Sequence, residues 1–250
     1  TRPMSDVPIQ DLMPDEGDGN VLFASPALFR RIIHSLQRGE HIDPFMGPEF
    51  RFLDRNQSDW EDFFAFLGYR LCRSDLGGES FFYLKPDSGL VKAERLSRGA
   101  TFLGIFLAWH FVTEGVDGQE SVPAADLAGR ILSNFDFNML VPVFLPVRGR
   151  GRQRAETEQN RDRMIDAIRT FLNELARYRF VELRPSVRAE WRDLLVYRLP
   201  GLQRFLEVSR NALLHQGSEA TDLLGVVRTL WAGFETEPES DDSDDAAEDE

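Results

Sequence analysis

Six consecutive residues, Phe81-Phe82-Tyr83-Leu84-Lys85-Pro86, set the tightest limit on how this chain folds. An unbroken run of aromatic and large apolar side chains suits a strand, and Pro86 suits its end. Ahead of the run lies an amphipathic helical pattern, and beyond it a long apolar helix from Ser97. Helix, β-hairpin and helix in that order are the plan of a winged-helix domain, and the plan recurs later in the chain. The expected fold class is therefore α+β, mostly helical, with tandem winged-helix domains carrying short β-hairpin wings.

The elements can be placed along the chain. Ser25 and Pro26 suit the cap and first turn of a helix whose inward side is Leu28, Ile32, Ile33 and Leu36, and Gly39 suits its end. Asp59, Trp60, Phe63, Phe64, Phe66 and Leu67 mark a second helix capped near Ser58. Tyr69 to Cys72 and Phe81 to Leu84 are the strands of the first wing. The stretch from Ser97 to Phe111 is apolar almost all round, so it requires burial on most sides. A further helix is expected from about Ser121 to Leu132, with Val122-Pro123 in its first turn. Met139 to Val147 is apolar, but Pro142 and Pro146 argue against a central strand. A long helix from about Glu156 to Arg177 presents Met164, Ile165, Ile168, Phe171, Leu172 and Leu175 on one side. Phe180 to Leu183 and Leu194 to Leu199 form the second wing. Two helices, about Pro200 to Leu214 and Glu219 to Phe234, complete the body. The expected organisation is an acidic N-terminus over 1–20, domains over 21–96 and 97–234, and an acidic tail over 235–250.

Charge is concentrated at the ends. The 250-residue chain carries a net charge of −13, yet Glu235 to Glu250 holds ten acidic residues and no Lys or Arg. Thr1 to Asn20 contributes a net −4, which leaves residues 21–234 at +1. Both ends are expected to be disordered, since such composition cannot bury enough apolar surface to order itself. Thr1 to Asn20, acidic and with prolines at 3, 8 and 14, does not fit a signal peptide. The longest apolar stretch, Ala100 to Val112, falls short of the roughly 20 residues a membrane span needs. A single cysteine, Cys72, permits no internal disulfide and suits a reducing cytosol.

The residues for common catalytic chemistries do not assemble. His34, His41, His110 and His215 lie too far apart for a helical metal pair or a finger. Gly149-Arg150-Gly151 has Arg154 where a dinucleotide loop places its third glycine, so no such cofactor is implied. Lys85 and Lys92 follow Leu and Val, which leaves no P-loop lysine. The positive signal is arginine. Arg148 to Arg179 contains nine arginines against five acids, a net of +4 in an otherwise acidic chain. Arg148, Arg150, Arg152 and Arg154 in a Gly-Arg loop, with Arg161, Arg163 and Arg169 on the following helix, are the candidate DNA-phosphate contacts.

Ala24-Ser25-Pro26 before a helix, then Arg38-Gly39-Glu40-His41-Ile42, then Phe81 to Pro86, resemble the MukE family of bacterial condensin subunits, and its MksE-type branch in particular. The resemblance is clearest over residues 22–112 and 161–180. It implies a dimeric, cytoplasmic, nucleoid-associated, non-catalytic subunit without cofactors. Such a subunit binds a kleisin that bridges the heads of an SMC-like ATPase, and helps to clamp double-stranded DNA without sequence preference. It serves chromosome organisation or plasmid defence. Arg161, Arg163 and Arg169 fall where the family places basic residues on this helix, and Arg152 or Arg154 where it has a loop arginine. The alternative is a stand-alone winged-helix transcriptional regulator, which requires two recognition helices at one-turn spacing.

Overall fold

The computed structural model describes residues 21–75, 78–87, 96–113, 120–145, 157–185, 190–207 and 209. They fall into two compact units, one within Thr1–Ser74 and Ser80–Glu94, the other within Asp75–Glu79 and Arg95–Glu250. The protein is mostly helical with two small antiparallel sheets, so it is of the α+β class.

In the first unit a 3₁₀ turn, Val21–Ala24, leads into α1, Pro26–Gln37. Pro26 occupies the first turn, where its missing N–H costs nothing. Ser25 stands at the cap position but makes no side-chain capping bond. Phe29, Ile32, Ile33 and Leu36 are buried, so Phe29 rather than Leu28 leads the inward side. Gly39, at φ 75°, closes the helix, with the amides of Gly39 and Glu40 donating back to the carbonyls of Leu36 and Ser35.

Ile42 then makes a single antiparallel bridge to Phe82, with N···O distances of 3.0 and 2.8 Å. Asp43 ends that extended segment by accepting from the Phe45 amide at 2.9 Å and starting the 3₁₀ turn Pro44–Met46. Two short helices follow, α2 over Pro48–Arg55 and α3 over Gln57–Phe66. The sequence pattern did not indicate α2, which buries only Glu49 and Leu53. Its signals are local: Pro48 and Glu49 in the first turn and Arg55 in the last.

Strands β1, Tyr69–Ser74, and β2, Phe81–Pro86, pair in register with Leu71 opposite Leu84 and Cys72 opposite Tyr83. Phe82 closes the core of Ile32, Leu36, Ile42, Leu53, Trp60 and Phe64. Trp60 is fully enclosed and its indole N–H has no oxygen acceptor. It stands edge-to-face with Phe52 and Phe63 at centroid distances of 6.1 and 5.9 Å.

The second unit is built round α4, Arg98–Thr113, whose residues from Ala100 to Ala108 are buried apart from Thr101. Ser97 starts it: its hydroxyl accepts from the Ala100 amide at 3.2 Å. Its own amide and hydroxyl donate to Glu174 at 2.7 and 2.6 Å. Val122 and Pro123 belong to a strand, β3 over Ser121–Pro123, and not to a helical first turn. Pro123 then sits at the cap of α5, Ala124–Asn134, where a fixed φ and a missing amide are harmless.

The proline-interrupted segment forms α6, Phe137–Phe144, capped by Asp136, which accepts from the Asn138 amide at 2.7 Å. Helix α7 spans Glu158–Arg177, and β4, Val181–Arg184, and β5, Leu195–Arg198, complete a three-stranded antiparallel sheet in the order β3-β5-β4. Pro200–Gln203 is a 3₁₀ turn continuing into helix over residues 204–207, where a helix from Pro200 was expected. The Glu219 to Phe234 helix, both acidic ends and the Arg148–Arg154 loop lie outside the described residues.

Two glycines let α4 be approached closely. A methyl group at Gly104 would overlap the buried Phe205 ring, and one at Gly99 would overlap the half-buried Phe171 ring. Gly104→Ala is therefore expected to destabilise. Overpacking a core site costs about 1–3 kcal/mol, against a gain in helix propensity of at most about 1 kcal/mol. Gly99→Ala should cost less, because the Phe171 ring has more room to swing. Trp60→Ala should lose about 3–5 kcal/mol in the first unit. Urea titrations of the three variants check the order, and an unchanged midpoint for Gly104→Ala would show that Phe205 relaxes freely.

Candidate nucleic-acid interface

Helix α7 is positioned by its apolar side. Met164, Ile168, Leu172 and Leu175 are buried at the spacing of one helical face. Glu174 ties it to the start of α4 through Ser97. Thr157 caps it, accepting from the Asn160 amide at 3.2 Å. Docked in this way, the helix exposes Arg163, Arg169 and Arg177 outside the buried stripe, while Arg161, one turn ahead of Met164 on that stripe, is exposed near the N-terminal end. Of the sequence-predicted contacts, Arg161, Arg163 and Arg169 are all exposed on α7, at different points around it. Arg148, Arg150, Arg152 and Arg154 lie outside the described residues.

The exposed side of α7 is not purely basic. Asp162 and Asp166 are exposed between the arginines, and over its whole length the helix carries four Arg against Glu158, Asp162, Asp166 and Glu174. The +4 excess of residues 148–179 therefore does not come from the helix. It resides in the loop arginines before it and in Arg179 after it.

Arg177 at the end of α7, Arg179 in the turn after it and Arg184 at the end of β4 are basic residues outside the candidate contacts. The Arg177 guanidinium lies 5.3 Å from the Tyr178 ring centroid, and that of Arg184 lies 4.6 Å from the Tyr197 ring centroid. Such stacking holds a planar cation at the surface without consuming its charge. Arg184 also grips Glu182 with two bonds of 2.8 Å. That bidentate bond holds the Glu182 carboxyl below the ordinary carboxylate value, burial opposes it, and the nearby charges of Arg184 and Arg179 reinforce it. In sequence, Arg177-Tyr178-Arg179 straddles the end of α7, whereas Arg184 meets Tyr197 only through the pairing of β4 with β5.

Other chemistry is sparse. Among the described residues no three His, Cys, Asp or Glu side chains converge as metal ligands. His41 is buried with its ring 5.5 Å from that of Phe81, and His110 is buried in α4. Most of the apolar side chains of α4 are buried in the core of its own unit. Among the described residues, the large apolar side chains most open to water are Phe45, Phe66 and Val112. No helix among the described residues is long and apolar enough to cross a membrane.

The described residues form two α+β units, with arginines along one exposed helix and the hairpin after it. The family profile of the condensin complex protein MksE matches residues 27–208, from the first turn of α1 to beyond β5. The chain belongs to the MksE family, and is thus an accessory subunit of a condensin complex. No curated protein matches it.

The Glu182–Arg184 pair gives a pH test. A depressed folded-state pKa means that the ionised carboxylate stabilises above the ordinary carboxylate value, and that this contribution is lost as the pH falls through the folded value. Glu182→Gln should therefore lower Tm modestly at neutral pH. The gap from wild type should close as the pH is taken below 4.5, the ordinary value. Thermal melts of both proteins from neutral to acid pH decide the matter, and a gap that persists in acid would mean that packing, not charge, is lost.

Proposed function

We propose that this chain is the non-catalytic, tandem winged-helix subunit of an MksBEF-type condensin. In this reading it acts in the cytoplasm at the nucleoid and forms a homodimer. It binds the kleisin that links it to the SMC-like ATPase, modulates that ATPase, and presents arginines to double-stranded DNA as the complex closes. The work is chromosome organisation or plasmid defence.

The observation that carries the winged-helix reading is the shared connectivity of the two units. In the second, the order is α4, β3, α5 with α6, α7, then the β4–β5 hairpin, and the early strand β3 pairs with the last strand β5. In the first, the order is α1, the Ile42 bridge, α2, α3, then the β1–β2 hairpin, and Ile42 pairs with the last strand β2. A helix-turn-helix followed by a wing, with an edge segment joined to the last strand, describes both. In that plan α3 and α7 stand as the second helices of the motif, the ones that DNA-binding members lay against DNA.

Sequence-independent DNA contact follows from the residue types. Arginine forks match phosphate oxygens, and phosphate contacts position a protein on the duplex without reading bases. The mixed charge of α7 makes weak binding by the isolated subunit the expectation, with useful affinity only in the assembled complex.

Two experiments test this reading. An untagged kleisin co-expressed with this chain should co-purify with it, and light scattering should show a dimer. A chain that stays monomeric and ignores the kleisin overturns the assignment of partners. In the assembled complex, Arg163→Glu with Arg169→Glu should weaken DNA binding and reduce the slope of log K against log salt by about 2, since each lost phosphate contact removes roughly 0.9. Unchanged affinity and slope in a folded double variant would mean that this side of α7 is only solvated surface.

A further inference from the structure

We propose that the outward face of α3, centred on Phe66, docks a segment of a second protein in which basic side chains surround an apolar one, and that this face does not meet DNA. The inference rests on the winged-helix reading above, which gives α3 and α7 the same place in their units. It assigns the two helices different partners.

The core claims only one side of α3. Trp60 and Phe64 are fully buried, and Phe63 packs partly beside them. At 100° per residue Asp62 stands opposite that pair, and Phe66 lies about 140° round the helix from the midpoint between them. Asp59, Asp62 and Phe66 therefore share one face, at the spacing i, i+3 and i+7. Phe66 keeps 78% of its surface open to water. It lies outside the core of its unit and stacks on no other ring among the described residues. A lone exposed apolar side chain is common on protein surfaces. What sets this one apart is the charge around it.

Helix α3 contains Asp59, Glu61 and Asp62 and no Lys or Arg. The Glu61 carboxylate accepts from the Gln57 side-chain amide at 2.6 Å. The side chains of Asp59 and Asp62 bond to no other described residue, and Arg55, the base nearest in sequence, forms no ion pair with them. Elsewhere in this unit exposed acids find arginines: Asp54 pairs with Arg73 and Asp87 with Arg70. The helix dipole accounts for Asp59 in the first turn but not for Asp62 near the middle, where aspartate is a poor helix former. A duplex, with one phosphate charge for about 1.7 Å of its axis, is repelled by such a face. A protein segment with Lys or Arg around an apolar side chain complements it, since a polar rim round a central aromatic is how protein interfaces are built.

The experiment places the photo-crosslinking residue p-benzoylphenylalanine at position 66 of the full chain within the assembled complex. Crosslinks are expected to another protein subunit, in a segment that mass spectrometry shows to carry net positive charge. Crosslinks to a second copy of this chain, to DNA or to a neutral or acidic segment overturn the inference, and so does their absence.

Affinity for the kleisin–ATPase subcomplex gives the second arm. Phe66→Ser should leave Tm unchanged, because the ring lies outside the core, and should weaken association about 10- to 100-fold, the value of burying one aromatic side chain. Asp59→Lys with Asp62→Lys should weaken association at low salt, and the gap from wild type should narrow as salt rises. A Tm fall in Phe66→Ser makes the ring structural and overturns the inference. Unchanged affinity in both variants also overturns it, while the wider reading stands if Arg163→Glu with Arg169→Glu still weakens DNA binding. A wild-type chain that ignores the subcomplex sinks both.

Discussion

Helix α4 cannot meet water on any long side, and the second unit is organised to prevent it. Its buried residues run from Gly99 almost to the C-terminal end, so neighbours are required all round. Helices α6 and α7 and the Pro200–Gln203 turn supply them. The polar fixings sit at the ends: Ser97 to Glu174 at the start, and the Thr113 hydroxyl donating to the Trp109 carbonyl at 2.9 Å at the finish. This places α7 as well. Once Met164, Ile168, Leu172 and Leu175 turn toward the core, the opposite side of α7 must face solvent. The candidate interface is therefore a consequence of burying a different helix.

Strongly periodic elements were legible in the sequence. Helices α1, α4 and α7 and both hairpins lie where their patterns place them, because a long apolar face or an aromatic run leaves few alternatives. Elements whose signals are local were not. Helix α2 buries too little to show a period, and its proline and terminal charges are the cues that identify it. Val122-Pro123 reads as a helix start, since proline suits a first turn, but Val122 pairs with Val196 and Pro123 stands one residue earlier, at the cap. The competing preference was pairing with β5, a partner more than seventy residues away that no local pattern reveals.

The candidate site was legible by composition and less so by geometry. Counting charge over residues 148–179 finds the basic region but not its distribution, which depends on which side of α7 each residue takes. Asp162 and Asp166 come to lie among the arginines only because the core claims the other side. The basic residues around β4 were missed because their grouping depends on strand register, with Glu182 opposite Tyr197 and Arg184 opposite Leu195.

The charge pattern of α7 has a physical reason of its own. Glu158 and Arg161, Asp166 and Arg169, and Glu174 and Arg177 each stand three apart with the acid first. That order and spacing support a helix by roughly 0.2–0.5 kcal/mol per pair, and it places an acid in the first turn and a base in the last, as the helix dipole prefers. A twenty-residue helix with arginines alone on its outer side would repel itself. The acids that allow it to form also cancel its field beyond about a Debye length, roughly 8–10 Å. In the proposed function, long-range attraction of the duplex then falls to basic residues outside this helix. Close-range contact can still use Arg161, Arg163 and Arg169, since a phosphate within hydrogen-bonding distance competes with a carboxylate on equal terms. In the proposed function, a helix of balanced charge is suited to gripping DNA that another part of the assembly has already brought near.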